Sequence, residues 1–195
     1  MHIGHDIVSL AENNISPTIR HGEKILHPKE LHYWQKENFS SLFYWSCWAI
    51  KESIYKLNMK VNLVDDLIFP QFNSSLHLCY SSRKYIDYSL KYQGQNIFIR
   101  LIQDESYLQA FASTQKLSME NFHLSVERIA SKDQSHTVRS LILAHIPESS
   151  IEYENWKKRV NIPFLYINGK KSTNHDISMS HDGDFASSCV LERQE

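Results

Sequence analysis

The sequence has no excess of either charge and contains few cysteines. Its 195 residues include 21 basic and 22 acidic side chains, which gives a net charge of -1. Without a basic excess or a run of Lys and Arg, nothing in the charge pattern favours nucleic acid or a membrane surface as a partner. The three cysteines, Cys47, Cys79 and Cys189, are far apart and form no CxxC. We therefore expect neither a disulfide framework nor a thiolate zinc site, and a reducing cytoplasm fits best.

Long apolar runs and metal-binding histidine motifs are also missing. No segment approaches the roughly 20 apolar residues of a membrane span. The N-terminus carries His2, His5 and Asp6 where a signal peptide would be apolar, so we expect no secretory signal. The 11 histidines form neither HxH nor HExxH, and we predict that most are surface or hydrogen-bonded polar residues. With 42% hydrophobic residues, the chain can form one compact domain or two small halves.

The most apolar long run, residues 43–57, contains no Gly or Pro and predicts a largely buried helix. Glu52 and Lys56 are four residues apart and so share one helical face, with Trp45 and Trp48 on the same face in the preceding turns. A charge on a buried helix requires a partner. The pair is either an ion pair at the rim of the helix or part of a functional site.

Upstream of this helix, residues 1–10 predict a short strand interrupted by Asp6. Gly4 would let another backbone or a ligand come close to this strand. Asp6 either ends the strand or requires a cation or hydrogen-bond donors. Pro28 predicts the start of a helix with Glu30 in its first turn, where an acid suits the helix dipole. Ser40 or Ser41 can cap the central helix.

Downstream, the pattern changes to strands separated by turns. We predict strands at 76–80, 86–92, 96–103, 107–113, 122–126, 164–167, 176–180 and 185–191, and helices at 136–146 and 152–159. Asn168-Gly169 and Asp182-Gly183 are hairpin signals. The order of strand, helices and antiparallel strands thus occurs twice. We infer an α+β pseudo-dimer, whose two similar halves, 1–116 and 117–195, pack about an approximate twofold axis.

Three local runs stand out together: Gly4-His5-Asp6-Ile7-Val8, the segment 48–56 (WAIKESIYK) and the segment 178–186 (SMSHDGDFA). They resemble the signatures of the 4'-phosphopantetheinyl transferases, which are GxDI(V/E), WxxKE(S/A)xxK and an (S/T)xSH-type turn before a strand. Residues 25–31 (ILHPKEL) also look like the family's short run between the first two motifs. The resemblance is anchored over 1–57 and 164–192.

The resemblance implies a particular arrangement of the two halves. The aspartate motif comes first and the SH turn last, as in the small trimeric holo-acyl-carrier-protein synthases, but the chain has the length of the larger pseudo-dimeric type. Residues 1–116 look like the second half of that type and residues 117–195 like its first half. We expect a permuted pseudo-dimer that is a monomer with a single active site between its halves. If that inference fails, a trimer is the alternative.

The resemblance also implies a reaction. The family transfers 4'-phosphopantetheine from coenzyme A to a serine of an apo acyl or peptidyl carrier protein and releases 3',5'-ADP, with Mg²⁺ as the cofactor. Asp6 and Glu52 match the family's metal-binding carboxylates. Glu52, or a water held by it or by Glu30, is the expected base for the serine hydroxyl. Lys56 is expected to stabilise charge on the leaving phosphate.

Further residues are expected to contact the coenzyme. Ser180 and His181, from the other half, would bind its phosphate groups. Lys170 is a further phosphate ligand in this interpretation, and Lys51 fits the motif as another coenzyme-binding residue. A turn-stabilising role is the alternative for His181. Arg20, Lys24 and Lys29 are candidates for contact with an acidic carrier surface.

One position departs from the larger members of the family, which often carry a second acid two residues after the aspartate. Here that position is Val8. The small synthases lack this acid too, so Val8 is compatible with activity and suggests that Mg²⁺ takes an extra water or phosphate oxygen. Two alternatives to an active transferase remain: a catalytically silent relative that binds coenzyme A or a carrier protein, and an unrelated α+β interaction protein.

Overall fold

The computed structural model describes residues 2–11, 17–61, 77–81, 85–92, 94–118, 120–129, 133–156 and 160–193. The helices in these ranges are α1 (Ile19–Ile25), α2 (Pro28–Lys36), α3 (Ser41–Val61) and α4 (Gln134–His145). The strands are β1 (Ile3–Ser9), β2 (His77–Ser81), β3 (Tyr85–Tyr92), β4 (Gln95–Gln103), β5 (Tyr107–Ser113), β6 (Phe122–Arg128), β7 (Ser149–Trp156), β8 (Val160–Ile167), β9 (Lys170–Lys171), β10 (His175–Asp182) and β11 (Phe185–Glu192).

These elements form an α+β fold with antiparallel sheets, which confirms the predicted fold class. One sheet has five strands in the order β1-β5-β4-β3-β2, and two three-stranded sheets have the orders β10-β11-β6 and β7-β8-β9. The hairpin turn at Asn168-Gly169 is confirmed as well, because both residues have positive φ, 51° and 72°. Helix α3 packs on β1 and β5, and the apolar core between them includes Val8, Ile54 and Leu108.

The short helix predicted at 152–159 is wrong. This segment belongs to β7, which pairs with β8 and places Ile151 opposite Leu165. Ile151 packs beside the core, whereas Glu152 and Glu154 are exposed, so apolar and charged residues alternate with the period of a strand. The last residues of the predicted helix, 157–159, residue 76 of the strand predicted at 76–80 and residue 1 of the strand predicted at 1–10 lie outside the described ranges.

Gly4 permits the closest approach between α3 and β1. A Cβ atom at this position would lie 1.9 Å from the carbonyl oxygen of Ser53 and 2.4 Å from the backbone nitrogen of Leu57. Both atoms belong to the backbone of α3 and cannot rotate away. The predicted close approach of another backbone to Gly4 is therefore confirmed, and it holds the second half of α3 against the strand that carries Asp6.

The two predicted halves share a pattern of strand pairing. β1 pairs with β5, which pairs with β4, and in the same way β6 pairs with β11, which pairs with β10. A backbone hydrogen bond just after β1 has a counterpart just after β6. The N–H of Leu10 donates to the carbonyl oxygen of Ser106 at 2.9 Å, and the N–H of Ile129 donates to that of Asp184 at 2.7 Å. The recurrence agrees with two similar halves. The twofold axis, the boundary after residue 116 and the monomeric state stay predictions.

The edges of β1 and β10 meet through side chains. Four backbone N–H groups of β1 donate to side-chain oxygens of β10: Ile3 to Asp176 (2.6 Å), His5 to Ser178 (3.0 Å), Ile7 to Ser180 (3.4 Å) and Ser9 to Asp182 (2.8 Å). Alternate residues are used on both strands because alternate side chains and N–H groups point the same way. We call this row of contacts the side-chain ladder, and it joins the two halves.

None of the helices in the part of the chain that the structure describes is long and apolar enough to cross a membrane.

Replacing Gly4 by Ala tests the contact between α3 and β1. We expect Gly4→Ala to lower the free energy of unfolding by more than about 3 kcal/mol, because the new methyl group would overlap backbone atoms. Urea denaturation gives this value. Gly94→Ala is the control, since its Cβ meets no atom within 4 Å and its positive φ of 80° alone costs about 1–2 kcal/mol. Equal losses in the two variants would contradict the proposed close packing.

Candidate active site

Asp6 is the centre of a group of charged and polar side chains where the two predicted halves meet. Its Oδ1 accepts hydrogen bonds from Lys56 Nζ at 2.7 Å and from Ser180 Oγ at 2.8 Å. Lys56 Nζ also lies 3.1 Å from Ser180 Oγ, so the three side chains contact one another. Asp6 comes from β1, Lys56 from α3 and Ser180 from β10. The structure therefore brings together three residues that are separated by up to 174 positions in the chain.

Glu52 lies one turn before Lys56 on the same face of α3 and lines the same cleft as Asp6. Burial raises the pKa of the Glu52 carboxyl, the negative charge of Asp6 raises it further, and Lys56 opposes both effects. Glu52 thus holds its proton more tightly than an exposed glutamate does. A carboxylate with this environment is a stronger base and a candidate for proton transfer.

The cleft has a volume of about 690 Å³ and one aromatic side. Its lining residues are Asp6, Ile7, Val8, His21, Tyr44, Trp45, Trp48, Glu52, Lys56, Met179, Ser180, His181 and Asp182. Trp45 and Trp48 precede Glu52 on the predicted helical face, and their rings lie 6.2 Å apart between centroids. Burial raises the pKa of Tyr44 to about 12, so this phenol stays neutral at physiological pH. Charged groups and flat apolar surfaces thus line one cleft.

His181 is exposed, and it lines both this cleft and a second cavity of about 350 Å³. Lys56, Met179 and Ser180 also line both spaces. The second cavity has a more apolar wall, which includes Met59, Val138, Ile162 and Pro163. An elongated ligand with one polar and one apolar part could therefore extend across the row of shared residues.

Glu30 and Lys51 form a buried ion pair elsewhere in the first half. Lys51 Nζ lies 2.6 Å from Glu30 Oε2 and donates to the carbonyl oxygen of Ile25 at 2.6 Å. Glu30 also accepts from the backbone N–H of His27 at 2.8 Å, which completes a capping box at the start of α2. Neither residue is among the described residues that line the cleft. The structure thus brings Glu30 and Lys51 to each other and not to Asp6.

The remaining predicted residues lie outside the cleft lining. Lys170 is exposed on the short strand β9. Arg20 and Lys24 are exposed on α1, the helix that contributes His21 to the cleft, and Lys29 is exposed at the start of α2. A carrier-binding role for these three stays a prediction.

The sequence interpretation missed the buried pair of Lys60 and Asp176. Lys60 Nζ lies 3.1 Å from Asp176 Oδ2 and donates to the carbonyl oxygens of Ile3 and Ile177. The sequence pattern could have indicated Lys60, because Glu52, Lys56 and Lys60 recur every four residues and so lie on one face of α3. This pair extends the contact between α3, β1 and β10 beyond the cleft.

The donor set suits a hard divalent cation. Mg²⁺ prefers carboxylate and water oxygens and needs few ligands from the protein. Asp6 and Glu52 place two carboxylates in one cleft, and the charge of Asp6 opposes ionisation of Glu52. A bound dication would offset this repulsion. The residues present therefore fit the Mg²⁺ expected from the motifs.

A model of the 4'-phosphopantetheinyl transferase superfamily matches residues 2–126. The match spans more than half of the chain, and the chain belongs to this superfamily. The matched region contains Asp6, Glu52 and Lys56 but ends before Ser180 and His181. No curated protein matches the chain significantly. Family membership removes the alternative of an unrelated interaction protein.

Lys51 lies in a buried ion pair and Lys56 lines the cleft, so replacing each of them should change the free energy of unfolding by different amounts. Lys51→Met leaves the buried Glu30 without its cation and should lower the free energy of unfolding by about 3–5 kcal/mol. Lys56→Met should cost much less, because the Lys56 side chain is already 29% exposed and Asp6 keeps its hydrogen bond from Ser180 Oγ. Chemical denaturation measures both values.

A double variant tests the origin of the Lys51 effect. Glu30→Gln removes the buried charge but keeps an oxygen for the N–H of His27, so Lys51→Met/Glu30→Gln should be more stable than Lys51→Met alone. Equal destabilisation by Lys51→Met and Lys56→Met would argue against the distinction.

Proposed function

We propose that this protein transfers the 4'-phosphopantetheine group of coenzyme A to a serine of an apo acyl or peptidyl carrier protein and releases 3',5'-ADP. The observation that supports this most strongly is the convergence of Asp6, Lys56 and Ser180 in the cleft that Glu52 also lines. Carboxylates, a lysine and a hydroxyl are the groups needed to bind a dication and a pyrophosphate.

In this proposal Asp6 and Glu52 hold Mg²⁺. When bound, the ion neutralises the pyrophosphate of coenzyme A and makes its phosphorus more susceptible to attack. Val8 lines the same cleft but has no ligand atom to offer. Water or phosphate oxygens would then complete the coordination in place of the acid found at this position in larger members of the family.

In the proposed reaction, side chains of this protein accept the proton of the carrier serine and stabilise the charge on the departing phosphate. Glu52, directly or through a water, takes the proton of the carrier serine as its oxygen forms a bond to the phosphorus. The bond from that phosphorus to the oxygen of 3',5'-ADP breaks, and the departing phosphate carries the electron pair. Lys56 stabilises the negative charge that builds up there. We assign Glu30 and Lys51 a structural role instead, because they pair with each other away from the cleft.

The coenzyme would lie across the row of residues shared by the two cavities. Ser180, His181 and Lys56 line both spaces, so phosphates placed there reach all three. Asp6 and Glu52 would then lie on one side of the phosphates, and the apolar wall with Met59 and Val138 on the other side. We leave Lys170 out of the proposal because it lies on β9 and is not in the described lining of either cavity.

The rival interpretation is a silent relative that binds coenzyme A or a carrier protein without transferring the group. Such a protein has no need for both a base and a metal-binding carboxylate beside the phosphate site. Asp6, Glu52 and Lys56 are all present and share the cleft, which favours the active transferase.

Intact mass spectrometry of an apo carrier protein tests the reaction. After incubation with this protein, coenzyme A and Mg²⁺, the carrier should gain the mass of phosphopantetheine, and EDTA should prevent the gain. Asp6→Ala and Glu52→Gln should each lower the rate by at least about 100-fold. Glu23→Gln, an exposed change on α1, is the control. Full activity of Asp6→Ala would reject the mechanism. Coenzyme binding without transfer to any of several carriers would favour the silent relative.

His181→Ala separates coenzyme binding from chemistry. We expect a KM for coenzyme A about tenfold higher, equivalent to roughly 1.4 kcal/mol, because one charge-assisted contact to phosphate is lost. The KM for the carrier should stay unchanged. His136→Ala, at an exposed histidine of α4, serves as the matched control. An unchanged KM for coenzyme A in His181→Ala would leave this histidine with the turn-stabilising role.

A further inference from the structure

A second group of ligand-type side chains lies in the second half of the chain. His123 Nε2 is 3.3 Å from Glu192 Oε1, and His145 Nε2 is 3.8 Å from the same oxygen. A third imidazole, that of His175, places its Nε2 3.9 Å from this oxygen. Three Nε2 atoms therefore surround one carboxylate oxygen, and ligand atoms of His123, His145 and Glu192 all lie within 4.8 Å of one another.

The fold brings these residues together from four elements. His123 of β6 is paired with Val190 of β11, two residues before Glu192, and Glu192 is paired with His175 of β10. Paired residues and residues two apart share a face of a sheet. Val190 and Ile142 of α4 belong to one buried apolar cluster, and α4 contacts β11, so this is the face that α4 covers. The helix ends at His145 and places that side chain beside the others.

The spacing is close to that of a tetrahedral transition-metal site. Zinc binds imidazole nitrogen and carboxylate oxygen at about 2.0–2.2 Å, so two ligand atoms at a tetrahedral angle are about 3.3 Å apart. The nitrogen–oxygen distances of His123 and His145, 3.3 and 3.8 Å, need only small side-chain movements to meet this value. His175 lies 3.9 Å from the same oxygen but is not in the group whose ligand atoms all lie within 4.8 Å of one another, so its side chain has to move further to join them. The rings of His123 and His145 already lie 4.1 Å apart between centroids.

Neighbouring groups orient His175 and place His145 where a cation is favoured. Ser172 Oγ lies 3.0 Å from His175 Nδ1, which fixes the ring with Nε2 directed towards Glu192. Such an outer hydrogen bond orients histidine ligands in metal sites. His145 is the last residue of α4, where the negative end of the helix dipole favours a cation.

We propose that His123, His145 and Glu192, with His175 as a fourth ligand, bind Zn²⁺ or a similar transition-metal ion. This site is separate from the proposed Mg²⁺ site, because His175 and His181 are six residues apart along β10, or about 20 Å. Imidazoles select zinc-like ions, whereas the carboxylates of the cleft suit Mg²⁺. The ion would tie the end of α4 to three strands of the second half.

The competing explanation is that Glu192 only pairs with protonated histidines. Such pairs bind no metal and need no common centre for the nitrogens. Titration of the whole protein with Zn²⁺ in the presence of excess Mg²⁺ distinguishes the two explanations. We expect one equivalent to bind, and Co²⁺ in its place to give the visible absorption of tetrahedral coordination by nitrogen and oxygen.

Variants locate the ion. His145→Ala and Glu192→Gln should each weaken Zn²⁺ binding by at least about tenfold, whereas His136→Ala, on the same helix, should leave it unchanged. Thermal unfolding without metal identifies any variant that fails to fold, and His123→Gln then replaces it as the test. The double variant Asp6→Ala/Glu52→Gln should keep its Zn²⁺.

Three results would overturn the proposal: no Zn²⁺ uptake by the natural protein, equal affinity of His145→Ala and His136→Ala, or loss of the ion from the cleft double variant. Because the readout is metal binding and not transfer, failure of this proposal leaves the proposed activity untouched, and the reverse is also true.

Discussion

The structure depends on the direct contact between the backbone of α3 and Gly4. Any side chain at position 4 would move the helix away from β1, since the nearest atoms belong to the backbone of α3. Asp6 follows two residues later on the strand, and Glu52 and Lys56 flank the helical contact point at Ser53. The same close packing that builds the core therefore fixes how far the carboxylate of Asp6 lies from the groups on α3.

The side-chain ladder joins β10, which belongs to the second predicted half, to the strand β1 that carries Asp6. Ser180 accepts from the backbone of Ile7 and donates to Asp6, so it belongs to both the joint between the strands and the cleft. A shift of β10 by two residues would place Ser178 beside Asp6 and move His181 out of the lining. The contacts that join β1 to β10 therefore also bring Ser180, which is distant from Asp6 in sequence, into the cleft.

Local patterns predicted most of the elements and the central residues of the candidate site. Glu52 and Lys56 could be assigned to one face by helical spacing, and Gly4 could be identified as a point of close approach. The partners could not be predicted, because contacts such as Lys51 with Glu30 depend on how α2 folds back onto α3. The grouping of His123, His145 and Glu192 was missed for the same reason: their spacing reflects strand pairing and not a local motif. At β7 a short segment of alternating apolar and charged residues was assigned the period of a helix instead of that of a strand.

Burial distinguishes the functions of the three lysines on α3. Lys51, Lys56 and Lys60 pair with carboxylates of α2, β1 and β10 respectively, but their side chains are 0%, 29% and 3% exposed. A fully buried pair cannot exchange its partner without leaving a charge uncompensated in the interior. Of these three, only Lys56 has a partly exposed side chain, which in the proposed function would let it turn to an incoming phosphate while a cation bound beside Asp6. Two of the three ion pairs of α3 are thus buried inside the fold, and the third lies at the cleft.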